Sequence, residues 1–342
     1  MITDIAERGW FPQPAVRWGI RRLVRQRESE EVLRLADGRL PVLRRWVEEM
    51  RASPVAIAAD EANEQHYEVP AAFFQACLGA QLKYSSAFYP KGTETLDEAE
   101  TAMLDLTATN AELTDGQEVL ELGCGWGSLS LYMAERYPNS QITSVSNSAS
   151  QKSFIDGQAA TRGLSNLAVL TADMNTFTAP ESREYDRVVS VEMFEHMRNW
   201  ESLLNRIHPW LRQEGKLFLH VFSHPEFFYP YETEGEDNWM GRHFFTGGMM
   251  PTHDLLDHLE IPFTVEATLP LSGLHYAQTA LHWHENLIAR RSHITDVLTT
   301  TYGSSEAHRW FNRWSLFFLA CHELFAHNAG RSWQLAHHRL TK

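Results

Sequence analysis

Residues 190 to 197 read SVEMFEHM, which sets two carboxylates, Glu192 and Glu195, three residues apart and puts an imidazole, His196, directly after the second. Two carboxylates and an imidazole can attract a cation, accept a proton from it and pass that proton on, which is acid–base chemistry. The same spacing suits a structural hydrogen-bond cluster, or acids in the first turn of a helix where they meet its dipole. If the chain turns helical here, Glu192 and Glu195 share one face. The run Asp186 to Val191 just before them reads as a strand, and open α/β sheets bind ligands outside the carboxyl ends of their strands.

A second motif lies upstream, VLELGCGWGSLS over residues 119–130, with Gly123, Gly125 and Gly127 between a strand and a helix. Glycines let the backbone turn sharply and approach a ligand with no Cβ in the way. A dinucleotide site would read G-x-G-x-x-G, with an acid about twenty residues on for a ribose hydroxyl. Here the third glycine comes one residue early, and the next strand ends in Ser146, Asn147 and Ser148 with no acid. No Gly-Lys-Ser/Thr follows, so a phosphate-binding P-loop is also disfavoured. An adenosyl ligand without phosphates, S-adenosylmethionine, fits better. Glu121 is either a receiver for that ligand's positive charge or a locally paired strand-end residue.

The elements that must hold these motifs alternate. Strands read at Glu118 to Leu122, Gln141 to Ser146, Ala168 to Thr171, Asp186 to Val191 and Lys216 to Phe222, with helical stretches between them, including Ser128 to Arg136. A helix opens at Thr95, where Thr95 and Glu98 have capping-box spacing. Such alternation implies right-handed crossovers and a mostly parallel, doubly wound α/β sheet. Residues 1–92 read as a helical cap that contributes to the site, and residues 93–342 as the main domain. Residues 225–262 interrupt it as a lid, whose first part mixes Phe227, Phe228, Tyr229, Tyr231, Trp239, Phe244 and Phe245 with Glu226, Glu232, Glu234, Glu236 and Asp237. That mixture could receive a cationic aromatic amine or fill a satellite core. Phe263 to Leu271 and Trp333 to Leu340 read as further strands, with long helical stretches at Tyr276 to Thr300 and Glu306 to Ala326.

Composition narrows the function classes. The 342 residues are 43% hydrophobic and 22% charged, which is ordinary globular composition. Thirty Lys and Arg against 44 Asp and Glu give −14, which disfavours non-specific nucleic-acid binding. Cys77, Cys124 and Cys321 form neither a disulfide framework nor a zinc pattern, and the first turns carry Asp4, Glu7 and Arg8 with no apolar signal core. These features predict a cytoplasmic protein without a bound metal. Between Arg17 and Arg51 ten arginines face six acids. That stretch reads as a solvated helix face with i,i+4 ion pairs in preference to peripheral membrane contact. His282 and His284, and His337 and His338, match no ligand set and read as surface or packing residues. Oligomeric state is left open, with a homodimer allowed.

VLELGCGWGSLS followed by SVSNSASQK, LTADM, SVEMFEHM, LFLH and RHFFTGG resembles the class I methyltransferases related to cyclopropane-fatty-acid synthases. Within that group the chain is most similar to the N-methyltransferases of benzylisoquinoline alkaloid pathways. The resemblance runs from about Tyr67, in YEVP, to Trp333, and implies a Rossmann-like class I methyltransferase sheet. It implies an S-adenosylmethionine site in which Lys83, Tyr84 and Ser85 cross the ligand, and Gly123 and Gly125 face its methionine and sugar. Ser146, Asn147 and Gln151 would approach ribose and adenine, and Asp173 and Met174 would contact the adenine. Glu192, Glu195 and His196 would be catalytic, with His220, Phe222, Trp239, Phe244 and Tyr276 around the substrate, a small aromatic or cyclic amine.

Cyclopropane synthases usually carry Gly at the position of Glu192, Cys at that of Ser86 and Ile at that of Phe222. In them these surroundings, with the matches of Glu195, His220 and Tyr276, form a bicarbonate pocket. The departures favour amine methylation over the alternative, methyl or methylene transfer to an unsaturated lipid acyl chain. The intact Glu192, Glu195 and His196 argue against a third reading, an adenosyl-binding regulatory module without catalysis.

Overall fold

Strand β1 (Glu118–Leu122) has Val119 and Leu120 pointing to opposite faces, a pattern stable only where both faces of a sheet are covered. The computed structural model describes residues 6–57, 69–180, 183–235 and 238–342. The opening Tyr67 of the YEVP match and the lid acids Glu236 and Asp237 lie outside the described residues. In it β1 sits inside a seven-stranded sheet with β2 (Gln141–Ser146), β3 (Leu167–Thr171), β4 (Tyr185–Val191), β5 (Leu211–Ser223), β6 (Thr264–Leu271) and β7 (Gln334–Thr341). The order is β3-β2-β1-β4-β5-β7-β6. The first five strands are parallel, while β7 inserts antiparallel between β5 and β6. The Rossmann-like doubly wound sheet is therefore present.

The helices are α1 (Gln13–Arg34), α2 (Arg39–Arg51), α3 (Ala71–Cys77), α4 (Leu96–Asn110), α5 (Ser128–Arg136) and α6 (Ala149–Arg162). They continue with α7 (Trp200–Ile207), α8 (Trp239–His243), α9 (Leu274–Ala289), α10 (Arg291–Tyr302) and α11 (Ala307–Ala326). The capping box forms as read: Thr95 Oγ1 accepts from the Glu98 amide, and the Glu98 carboxylate accepts from the Thr95 amide at 2.8 Å. Period-two alternation splits the sheet's core. Val119, Ile142, Val189 and Phe218 pack under Leu104 and Ala108 of α4 and Leu129 and Met133 of α5. Leu120, Val188, Leu217 and Leu219 pack with Leu43, Trp46 and Val47 of α2 and Leu203, Leu204 and Ile207 of α7.

A further aromatic core lies among α1, α3, α9, α10, α11 and the lid, with Phe73, Trp283, Trp314 and Phe244 all buried. The lid segment carries two paired short strands, Tyr229–Pro230 and Met249–Met250, and the one-turn α8 between them. The long helical stretch read from Tyr276 breaks at Arg290 into α9 and α10.

The arginine run differs from a simple solvated face. Arg27 does reach Glu31 four residues on at 3.7 Å. Other arginines cross to distant elements: Arg21 to Glu323 of α11 at 2.6 Å, Arg39 to Asp254 at 2.9 Å and Arg51 to Glu201 of α7 at 2.6 Å. These pairs fasten α1 and α2 to the sheet domain. Among the described residues no helix is long and apolar enough to cross a membrane.

In this order the sheet's direction of winding reverses between β1 and β4, so a crevice opens outside their carboxyl ends. The glycine loop follows β1, and Glu192 follows β4.

Candidate active site

The loop after β1 turns through left-handed backbone at Gly123 (φ 81°) and Gly125 (φ 52°). A Cβ on Gly123 would come within 2.8 Å of Met193 Cβ, in the segment that carries the carboxylates. A Cβ on Gly125 would meet no protein atom within 4 Å, yet Gly125 lines a cavity, so its glycine keeps space for what the cavity holds. That cavity is walled by all nine residues assigned to the adenosyl ligand, Tyr84, Ser85, Gly123, Gly125, Ser146, Asn147, Gln151, Asp173 and Met174, together with Glu192 and His196.

The chemistry of the wall matches the ligand. Gln151 Oε1 accepts from the Ser146 hydroxyl at 2.7 Å, and its buried Nε2 meets no partner among the described residues. Ser128 Oγ and Trp126 Nε1 on the same wall are likewise buried and meet no partner among the described residues. Donors placed in this way suit a ligand with acceptor atoms. Asp173 offers an exposed carboxylate for an exocyclic amine, and Met174, Met193 and Met197 offer polarizable sulfur to a ring. Among the lining residues Lys83 is the single lysine or arginine, and its amine is spent on Ser85 Oγ at 2.5 Å and the Ser86 carbonyl at 2.7 Å. Burial lowers its pKa to about 8. The wall therefore suits a nucleoside without phosphates. Glu121 also lines it, but its Oε2 already accepts from the Ser130 and Ser144 hydroxyls, and burial pushes its pKa up to about 7.

Glu192, Glu195 and His196 do not share a helical face. Glu192 ends β4 in left-handed backbone (φ 48°), a conformation that costs a non-glycine residue on the order of 1–3 kcal/mol. Glu195 and His196 follow in a short 3₁₀ turn, Phe194–His196. The strain at Glu192 is held by its carboxylate, which accepts from the Ser86 amide at 2.8 Å and the Tyr276 hydroxyl at 2.7 Å, with His220 Nε2 at 3.4 Å. Burial raises its pKa, and the Lys83 charge opposes that rise.

Glu195 is fully buried behind them. Its Oε1 accepts from the Phe222 amide at 2.6 Å, and its Oε2 meets no partner among the described residues. Burial first, and the charge of Glu192 second, push its pKa well above the carboxylate range. His196 stacks on Phe245, with ring centroids 5.4 Å apart and planes 12° from parallel.

His220, Phe222 and Tyr276 thus gather at the carboxylates, whereas Trp239 and Phe244 do not. Phe244 is turned into the core, stacked on Phe317 at 4.1 Å, and Trp239 gives its indole N–H to Glu7 at 2.8 Å. Phe245, the adjacent residue, is the one that meets His196. The sequence reading also missed His337. Of the surface and packing readings given for it the packing one holds, but its neighbour was not foreseen: it is buried, and its Nε2 lies 3.1 Å from His220 Nδ1. Neither residue carries a local signal, because adjacent aromatics and adjacent histidines look alike until the facing element is known. Among the described residues no group of three side chains could hold a metal.

Comparison with known proteins agrees with this geometry. Residues 56–335 match the family model described as mycolic acid cyclopropane synthetase. The chain is 38% identical over 292 residues to (S)-coclaurine N-methyltransferase of Thalictrum flavum subsp. glaucum, covering 84% of this chain and 80% of that enzyme. It is 26% identical to the cyclopropane-fatty-acyl-phospholipid synthase of Escherichia coli (strain K12), over 81% of this chain and 67% of that one. A crystal structure of coclaurine N-methyltransferase bound to N-methylheliamine and S-adenosylhomocysteine superposes with a TM-score of 0.95 at 32% identity, covering 100% of this chain and 99% of that one. The bare donors, the phosphate-free wall and these matches agree: the chain belongs to the mycolic acid cyclopropane synthetase family and is an S-adenosylmethionine-dependent methyltransferase.

Proposed function

We propose that this chain is an N-methyltransferase acting on a small cyclic or aromatic amine, with Glu192, Glu195 and His196 handling the ammonium and its proton. The observation that carries this reading is the buried, unpartnered Oε2 of Glu195 beside a second carboxylate at the mouth of the cavity. Two carboxylates this close resist ionising together, and a cation between them relieves that repulsion. Bound S-adenosylmethionine supplies a methyl group already activated on a sulfonium, so the availability of the acceptor's lone pair governs the reaction.

A protonated alkylamine has no lone pair. Freeing one of pKa about 10 at pH 7 costs roughly 4 kcal/mol, at about 1.36 kcal/mol per unit. Glu192, held by Ser86, Tyr276 and His220, is the fixed anion that attracts the ammonium. Once the ammonium offsets the Glu192 charge, Glu195 can ionise, and it and His196 are then the proton acceptors; Phe245, stacked on His196, orients the imidazole. Phe222 and Tyr276 are buried against the two carboxylates and keep water from them, which strengthens each of these interactions.

Residues 1–92 serve in this reading as a cap: Ala56, Lys83, Tyr84 and Ser85 reach the cavity from that side of the chain. Residues 93–342 form the methyltransferase domain, with the lid at about 225–262. The cytosol is the compartment assigned, on the strength of three buried cysteines that stand free.

The test is transfer of isotopically labelled methyl from S-adenosylmethionine to parallel panels of secondary amines and unsaturated phospholipids. Label is expected on amine nitrogen. Label confined to phospholipid would overturn the proposal in favour of acyl-chain chemistry.

A further inference from the structure

Between α3 and α4 the chain crosses the cavity as a strap, with Leu82, Lys83, Tyr84 and Ser85 on the wall. Its start is fixed by Glu100 of α4, whose carboxylate accepts from the Gly79 amide at 2.9 Å and the Gln81 amide at 2.8 Å. Further along, Thr279 of α9 accepts from the Ala87 amide at 3.0 Å. Between these anchors Leu82 takes left-handed backbone (φ 50°), which is uncommon for a non-glycine residue. Lys83 follows it with only 3% of its surface exposed. The mechanism above gives this buried amine no part.

A lysine amine buried this deeply must find acceptors. Lys83 Nζ donates to Ser85 Oγ at 2.5 Å and to the Ser86 carbonyl at 2.7 Å. The amide of the same Ser86 donates to Glu192 Oε1 at 2.8 Å. A backbone carbonyl only accepts and a backbone amide only donates, so the direction of both Ser86 bonds is fixed by atom type. Ammonium and neutral amine both donate, and the amide is accepted by Glu192 whether or not its carboxyl is ionised. The tether therefore assumes no charge state. One side chain ties the strap residue on the cofactor wall, Ser85, to the residue that holds the carboxylate, Ser86.

We infer that Lys83 is a positioning residue: its amine knots Ser85 and Ser86 into one turn, which presents the Ser86 amide to Glu192, and its charge favours the anionic carboxylate there. The consequence for methyl transfer rests on the amine reading above; the tether does not. Glu100 and Glu192 face Lys83 from α4 and the end of β4, and both hold up a pKa that burial lowers to about 8. His220 and His337 face it from β5 and β7, and burial keeps both uncharged. Around Glu192, burial keeps Tyr276 and Cys321 protonated and pushes Glu195 toward its neutral form. Lys83 opposes the rise of the Glu192 pKa more strongly than His196 does. Removing the lysine should therefore raise that pKa, and by reciprocity removing the Glu192 charge should lower the lysine's.

The experiment is ¹⁵N NMR of the full chain labelled at serine amides and lysine side chains. Ser86 is assigned by its loss in Ser86→Ala, and Lys83, one of five lysines, by changing the other four to arginine in turn. Wild type is expected to show a Ser86 amide displaced downfield and shielded from solvent exchange. In Lys83→Met that amide should move upfield and exchange at least about tenfold faster. On a secondary amine kcat should fall about tenfold, more than S-adenosylmethionine affinity falls, and the acidic limb of kcat/KM should move to higher pH. Ser85→Ala, which leaves the bond to Ser86 and the charge, should keep the Ser86 signal and the position of that limb. A folded Lys83→Met with the wild-type Ser86 signal, or with the acidic limb unmoved, overturns the proposal. Should Lys83→Met fail to fold, the Lys83 titration decides: its midpoint should fall in Glu192→Gln, and an unchanged midpoint overturns the proposal. If wild type methylates no amine, the functional reading falls, while the Ser86 and Lys83 signals still decide the tether.

Discussion

Glu195 accepts from the Phe222 amide with one oxygen and meets no partner among the described residues with the other, so Glu195→Gln keeps the first bond and removes the group that can take and release a proton. On the proposed reading, this change or His196→Ala lowers kcat by about 10²–10⁴-fold, roughly 3–5 kcal/mol, with cofactor affinity retained. The defect should shrink at high pH and for amines of low pKa, because less deprotonation is then required; an equal loss at every pH and on every amine would assign these residues to positioning alone. Glu192→Gly separates backbone from charge. It relieves the left-handed φ of 48° but leaves the Ser86 amide and the Tyr276 hydroxyl without their acceptor, and His220 without the carboxylate 3.4 Å from its Nε2. Amine methylation should fall by at least about tenfold, and added formate or bicarbonate should restore part of it by filling the vacated space. No recovery with either anion would mean that Glu192 acts through more than its negative charge. The types and spacing of Glu192, Glu195 and His196 were legible in the sequence. Their division of labour was not, because it depends on the partners that each meets from other elements.

At the scale of the element, the glycine loop shows how one motif answers two demands. Gly123→Ala would drive a Cβ into Met193 at 2.8 Å and force the segment carrying the carboxylates to shift. Gly125→Val, in open space at φ 52°, would instead fill the cavity and strain the loop. The expected outcome is a lower melting temperature for Gly123→Ala, and for Gly125→Val at least about a hundredfold loss of S-adenosylmethionine affinity by calorimetry, with the sheet still folded. Unchanged affinity in folded Gly125→Val would remove the loop from the binding site. The loop's strand–turn–helix setting was readable because β1 and α5 obey local periodicities of two and 3.6. The lid was not readable to the same degree. Phe244 and Phe245 are identical in type and adjacent, and only the packing of Phe317 against the first and His196 against the second tells them apart.

Across the whole molecule, long-range ion pairs fasten the N-terminal helices to the sheet domain. Burial alone would raise the Asp254 pKa, but the Arg39 hydrogen bond and charge outweigh it and hold the group at about 2. A depressed carboxyl pKa stabilises the fold above the unfolded value of 3.8, and that contribution is lost as pH falls toward about 2. Asp254→Asn should therefore cost about 1 kcal/mol near neutrality, reduced from the full linkage value because the pair is partly exposed. The gap from wild type in denaturant titrations should close between about pH 4 and pH 2; a gap independent of pH would show that the ion pair is not its source. The sequence by itself determined the strand–helix alternation, the glycine loop, the helix cap at Thr95 and the placing of acids after β4, since each depends on a few neighbouring residues. Tertiary structure decided what those acids meet. Ser86 and Tyr276 reach Glu192 from 106 and 84 residues away, and His337 reaches His220 from 117 residues away. The last of these meetings exists because the chain's last strand inserts between β5 and β6, and no local periodicity encodes which strand lies beside which.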